Sequence, residues 1–447
     1  MRIIKTFAVA CVLVVTGGAT ARAFLNDNGI HPPPTTGTYG YNSFVPGSAG
    51  FPALGGTYVD PVFGGIVRRV TDAGSGTNDD DIYAHHWCNA DGTKCFSTKG
   101  SVLRIYSPLT GATLYNNQPT GSGDLPRANL QWNPTDPDKY QRFESNRIVE
   151  RTLATQTDVT LYTAPQAFNN MGGSLPWVDG SGDIFVLSWG GQARIWKRST
   201  NTLYSGTAAN FTSNGGWVSI TPDGNYIVTA AGGSSTPQKE HYSYAVNHAN
   251  ASLASSHTQM WGLCGDHGVI ASASNGKSYF ISYGCHTTPG VWRIDVTLNQ
   301  AGVSEAQQLA SNQVLIPLAW ADNDGHLSGN MRGANKDWVF LSSEDLSGDP
   351  RNGGVSGWRP WKSEIIAINI MTLEVRRLAH HRSRGLSSSY YAQPHVSSSW
   401  DGSTVIWASN MNGGSGDYVD MYVINNPLGS VAADTKAPAS PKNLIIR

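Results

Sequence analysis

The 447-residue sequence is short of charge, with Asp, Glu, Lys and Arg making up only 14% of it. It also lacks a basic excess. The 31 Lys and Arg face 32 Asp and Glu; removing Arg2, Lys5 and Arg22 with an export signal leaves 28 against 32, a formal charge of −4. Binding to a phosphate backbone requires a basic footprint, so nucleic acid is not an expected partner. Beyond the N-terminus no stretch approaches the roughly 20 uninterrupted apolar residues of a helical membrane span. There is no Gly-rich phosphate loop after a strand, no nucleophile elbow and no HExxH. Cysteine is scarce too, at five residues.

The N-terminus has the layout of an export signal. Arg2 and Lys5 form its charged start, Phe7 to Val15 its apolar stretch, and Ala21-Arg22-Ala23 a cleavage site. A cleaved chain starting near Phe24, secreted or periplasmic, is expected; lipidation at Cys11 is the alternative. Four cysteines then remain, and an even number in an exported chain reads as two disulfides. Cys88 and Cys95 lie symmetrically about Asp91-Gly92, and Cys264 and Cys285 nearly so about Asn275-Gly276. Of three possible connectivities, Cys88–Cys95 with Cys264–Cys285 places each pair across a hairpin.

The sequence is rich in Gly (50 residues), with 14 Trp and 18 Tyr, a mixture suited to short strands and tight turns. A degenerate unit recurs: a short strand, an Asp/Asn-Gly-type turn, then an apolar strand. Its copies centre on Asp91-Gly92, Asn133-Pro134, Asp179-Gly180, Asp223-Gly224, Asn275-Gly276, Gly333-Ala334-Asn335 and Asp401-Gly402. Third and fourth strands follow most copies, and four antiparallel strands per unit is the blade of a β-propeller. The seventh unit is one strand short, while Gly65 to Val70 is an orphan strand before the first unit. Pairing the two predicts an all-β, seven-bladed β-propeller whose ring is closed by an N-terminal strand joining the last blade. The expected layout is a signal peptide over 1–23, an N-terminal arm over 24–56, the propeller over 57–432, and a linker or tail over 433–447.

Equivalent inner-strand positions of a propeller converge on one rim. Those ahead of the turns are His85, Gln131, Leu175, Trp217, His267, His326 and His395, and four of these seven are histidine, out of twelve in the chain. Convergent imidazoles suit a divalent transition metal or general-base chemistry. Gln393 stands two residues before His395, sharing a face if the segment is a strand. His380, His381, Arg382, Arg384 and Tyr391 add candidates nearby. Imidazole with an amide oxygen suits Mn²⁺ best, with Ca²⁺ or Zn²⁺ as alternatives. The bland reading has Gln393 and the His380-His381 pair bonding blade-to-blade loops.

Gly325-His326-Leu327-Ser328, followed by Gln393-Pro394-His395 ahead of a Ser-rich strand and Asp401-Gly402, resembles the oligogalacturonate lyases. Those are seven-bladed propellers in which His and Gln ligands hold manganese. Asp60 to Gly64 leading into Arg68-Arg69-Val70-Thr71, with Asn89 to Gly92, is similar to exported propellers near the ulvan lyases. The resemblance implies His326, Gln393 and His395 as metal ligands, with His381 or His380 a fourth. It implies His267 as the base, and β-elimination on a uronate-containing glycan. Tyr391 and Arg382 would protonate the leaving oxygen or grip a carboxylate, with His85, Trp217 and Arg384 on the substrate. The chain departs from the family in having no Arg between Arg198 and Arg293, where the lyases place one ahead of the base; Lys239 is the nearby cation.

Three other signals stand beside this. Cys264, His267, Cys285 and His286 have the donors of a zinc site, against which the adjacent Cys285 and His286 would point to opposite strand faces. Asn78 to Asp81 has oxygen donors for Ca²⁺ or is a solvated loop. The Trp358-Arg359-Pro360-Trp361 loop either stacks sugar rings or packs on its blade. A non-catalytic propeller binding glycan or protein is the alternative to a lyase.

Overall fold

Each repeat unit buries its apolar strands only by stacking on its neighbours, so the units assemble as a ring of sheets. The computed structural model describes residues 27–72, 86–99, 102–121, 130–169, 176–209, 216–230, 240–263, 268–284, 289–318, 323–345, 358–385, 392–411 and 419–429. These form seven antiparallel sheets of three to five strands. The protein is a seven-bladed β-propeller.

Blade one holds Cys95–Lys99, Val102–Tyr106 and Thr113–Gln118, with Cys88 bridging to Cys95 on its inner side. Blade two runs Leu130–Trp132, Lys139–Glu144, Arg147–Thr152 and Thr157–Thr163. Blade three holds Ile184–Trp189, Gln192–Lys197 and Thr202–Leu203, and blade four Trp217–Ile220, Tyr226–Ala230 and His241–Asn247 with two short outer strands. Blade five, Gly268–Ser272, Ser278–Tyr283, Val291–Asp295 and Gln313–Ile316, carries the helix Glu305–Ser311 before its outer strand. Blade six is Asn323–Ser328, Trp338–Asp345, Glu364–Asn369 and Val375–His380. Blade seven combines Ser397–Ser398, Thr404–Ser409 and Asp420–Asn425 with Ile66–Arg69 from the other end of the chain. There Arg68 pairs with Val423 and Arg69 with Tyr422, and Thr57–Val59 adds a fifth strand outside.

Burial follows position in the blade. The strand Ile184–Trp189 is buried at every residue, whereas the outer strand Thr157–Thr163 is exposed along most of its length. The turns repeat as well. Gly92, Gly182, Gly224, Gly276 and Gly402 each donate their N–H to the carbonyl three residues back, with φ between 68° and 79°, which an L side chain rarely adopts. In blade three this glycine is Gly182 rather than the expected Gly180, because the sequence Asp-Gly-Ser-Gly shifts the turn by two. The Cys88–Cys95 disulfide is present across the first hairpin. Cys264 and Cys285 lie outside the described residues.

Side-chain hydrogen bonds tie the inner strands into a girdle. Trp87 N–H donates to Ser397 Oγ (2.9 Å), Trp132 Nε1 to the Trp87 carbonyl (3.0 Å), and Trp177 N–H to Gln131 Oε1 (3.1 Å). Arg332 also reaches from blade six to the carbonyls of Pro134 and Gly180 in blades two and three. Its own N–H donates to the Trp400 carbonyl of blade seven, so one residue joins four blades.

Candidate functional site

His326 and His395 enter from neighbouring blades and meet edge-to-face, with ring centroids 4.1 Å apart. Both are buried. His326 sits on the inner strand of blade six, and the residue before it is constrained. Gly325 has φ 151°, and a Cβ there would overlap the Ser342 carbonyl oxygen and lie 2.6 Å from the Tyr283 hydroxyl. Only glycine lets blade five come this close. Tyr283 uses the space to donate its hydroxyl to the Ser342 carbonyl at 2.9 Å.

His395 is held differently. It has φ 45°, a left-handed conformation that costs an L residue about 1–2 kcal/mol. The fold holds the chain in this conformation just before the inner strand of blade seven, where its ring faces His326. Gln393, two residues earlier, is half-buried. A buried carboxylate completes the cluster: Glu344 on the second strand of blade six, with its Oε1 3.0 Å from His326 Nδ1. The composition of its segment, Ser-Ser-Glu-Asp at the end of an apolar strand, was the only sequence signal for it.

Several expected site residues have other work. His381 is buried, with Nδ1 accepting from the Ser383 N–H and Nε2 facing the Ser343 carbonyl, each at 3.1 Å. Burial pushes its imidazole down to about 3, so it is a neutral bracing group with both nitrogens engaged rather than a ligand. His380 is likewise buried, with Nδ1 3.2 Å from Asp60 Oδ2 and Nε2 2.8 Å from the His31 carbonyl. Burial alone would raise the Asp60 carboxyl, but His380 beside it holds it well below the usual carboxylate range.

Arg382 and Arg384 are turned to the N-terminal arm, not to an open site. Arg382 is fully buried, donates to the Tyr39 carbonyl at 3.1 Å and lies over the Phe44 ring. Arg384 donates to the Tyr41 carbonyl at 2.9 Å and lies 4.2 Å over the Tyr41 ring. The carboxylate grip expected of them is replaced by arm carbonyls and aromatic faces. Trp217 is also buried; its ring packs against His241 and Phe280 between blades four and five, leaving no broad face for a sugar. Trp358 and Trp361 are buried as well: Trp358 lies edge-on between Tyr41 of the N-terminal arm and His380 of blade six, and Trp361 joins the apolar core.

His85, His267 and Tyr391 lie outside the described residues, as do the carboxylates of residues 79–81 and the donors of the zinc alternative. His86, the neighbour of His85, is buried instead beneath Trp400, ring centroids 3.9 Å apart, its nitrogens 3.2 Å from the Ser398 and Asn330 carbonyls. It braces blade one against blades six and seven. Among the described residues no group of three His, Cys, Asp or Glu side chains is arranged to hold a metal ion.

No protein-family model matches the chain, and no curated protein matches its sequence. Solved structures do match. An oligogalacturonate lyase from Vibrio parahaemolyticus superposes with a TM-score of 0.50 at 11% identity, over 83% of this chain and 96% of that one. An oligogalacturonate lyase in complex with manganese gives 0.53 at 13% identity, over 84% and 97%. What is shared is the fold. At such identity the site has to be argued from this chain's own residues, and among those described it reduces to His326, His395, Gln393 and Glu344. No helix among the described residues is long and apolar enough to cross a membrane.

Proposed function

We propose that the protein is an exported lyase that cleaves uronate-containing glycans by β-elimination at the rim between blades six and seven. The observation that carries this reading is the meeting of His326 and His395, imidazoles from separate blades whose rings are in contact. The donor types fit a divalent ion. Two imidazoles, one backed by a buried carboxylate, with Gln393 two residues before His395 in the sequence and no thiolate among them, suit Mn²⁺ better than sulfur-seeking ions. Such an ion, when bound, neutralises the uronate carboxylate and so acidifies the C5 proton next to it.

The chain's own residues then have separable tasks. His326, His395 and Gln393 hold the ion, and His381 braces the loop behind them through the Ser343 carbonyl and the Ser383 N–H. His267, which precedes Gly268 in the sequence, is assigned the C5 proton, and Tyr391 the proton for the leaving oxygen as the C4–O bond breaks. Arg382 and Arg384 anchor the arm that covers blades six and seven. The export-signal layout, with its apolar stretch Phe7 to Val15 and cleavage site Ala21-Arg22-Ala23, and the Cys88–Cys95 disulfide support an oxidising, extracytoplasmic setting, where polymeric uronates are met.

The test is ultraviolet absorbance of the unsaturated uronate product, with pectin, alginate and ulvan offered to the mature chain with and without chelator. Activity that disappears with chelator, with His267→Ala and with His395→Ala is the expected result. No product from any of the three, alongside measurable retention of the chain on a glycan column, would replace the lyase with a glycan-binding propeller.

A further inference from the structure

We infer that Glu344 is the positioning residue for His326, fixing the tautomer that leaves Nε2 unprotonated and able to act as a ligand. This rests on the reading of His326 as a metal ligand and deepens it. Glu344 lies on the strand next to His326: His326 pairs with Ser342, so Glu344 is its diagonal neighbour on the same face. The carboxylate is wholly buried, and burying an ionised carboxylate is costly unless it is hydrogen-bonded. It accepts from Ser342 Oγ at 3.3 Å and lies 3.0 Å from His326 Nδ1.

A carboxylate only accepts hydrogen bonds, so in the neutral ring the proton must sit on Nδ1. The lone pair is then on Nε2, the nitrogen on the far side of the ring from Glu344. A purely structural pairing would serve equally well with a glutamine, whose oxygen also accepts. It would not dictate the tautomer, because the amide NH₂ of glutamine donates to Nδ1 just as readily. That difference separates a positioning role from packing.

The experiment uses the full mature chain labelled with ¹⁵N-histidine, with the His326 resonance assigned by its loss in His326→Asn. The expected result is an Nδ1–H ring in the wild type, a mixed or switched ring in Glu344→Gln, and restoration of the Nδ1–H form in Glu344→Asp. Titration with MnCl₂ by calorimetry should show affinity weakened roughly 10- to 100-fold in Glu344→Gln and less in Glu344→Asp. An Nε2–H tautomer in the wild type would overturn the inference, whether or not Glu344→Gln folds. So would a Glu344→Gln protein with unchanged tautomer and unchanged Mn²⁺ affinity. If the wild type binds no Mn²⁺, the metal part of the proposed function fails, while the ring tautomer still decides the role of Glu344.

Discussion

Four histidines stand in blades six and seven within a short span of structure, and partner and burial give them different states. His326 faces a carboxylate, His395 faces His326, His380 lies between Asp60 and the arm, and His381 is locked between a carbonyl and an N–H. The last of these has a measurable consequence. Burial depresses His381 to about 3, against an ordinary value near 6.5, so between those values the unfolded chain binds a proton that the folded chain refuses. Stability should therefore rise with pH across this window and fall on acidification, by about 3 kcal/mol between pH 7 and pH 4. Denaturant unfolding of wild type and His381→Gln at both pH values checks this: the variant should be less stable at pH 7 but lose less on acidification. Gly325 gives a second test. Any side chain there strikes the Ser342 carbonyl or the Tyr283 hydroxyl, so Gly325→Ala should cost about 2–4 kcal/mol by denaturant midpoint and weaken Mn²⁺ binding by displacing His326.

The blade is the unit of stability at the next scale, and its hairpins are pinned in two ways. In blade one the pin is covalent. Opening Cys88–Cys95 frees a loop of sequence separation seven, which on the chain-entropy argument costs about 2 kcal/mol; unfolding of Cys88→Ser/Cys95→Ser should show a loss of that size. Between blades two and three the pin is electrostatic. Glu150 is nearly buried and takes both Nη atoms of Arg198 at 2.8 and 2.9 Å, with Asn133 and Gln141 donating as well. Burial raises the Glu150 carboxyl, but the Arg198 hydrogen bonds outweigh it and hold the group ionised below its usual value. Arg198→Met should cost about 2–3 kcal/mol, because the carboxylate stays buried without its cation. If thermal melts of this variant match the wild type, blades two and three are joined by their apolar contacts alone.

Over the whole molecule, the ring depends on residues from its two ends. Ile66–Arg69 pairs with Asp420–Asn425, and Arg69 Nε donates to the buried Asp420 at 2.8 Å. The arm continues the closure. Arg377 donates to the Gly29 carbonyl, His380 faces that of His31, and Arg382 and Arg384 bind those of Tyr39 and Tyr41. The outer strand of blade six and the segment that follows it thus strap the N-terminal arm onto the ring. A chain beginning at residue 72 would expose a bare strand edge on blade seven and lose this strap. It should elute as aggregate and lack a sharp thermal transition; a monomer melting like the full chain would show that the ring closes without Ile66–Arg69.

The sequence by itself determined the blades, all but one of the Gly-centred turns described above, the Cys88–Cys95 pair and the alignment of His326 with His395, because each of these is written in contacts or periodicities within one or two repeat units. Only the tertiary structure decided what the polar residues do. Arg384 meets Tyr41 across 343 residues, and Glu344 reaches His326 through a strand register that turn positions alone leave open. A histidine or arginine carries no local mark of whether a carboxylate, a carbonyl or an aromatic face will meet it. Its role is set by which distant segment the ring brings against it, and how far that contact removes it from water.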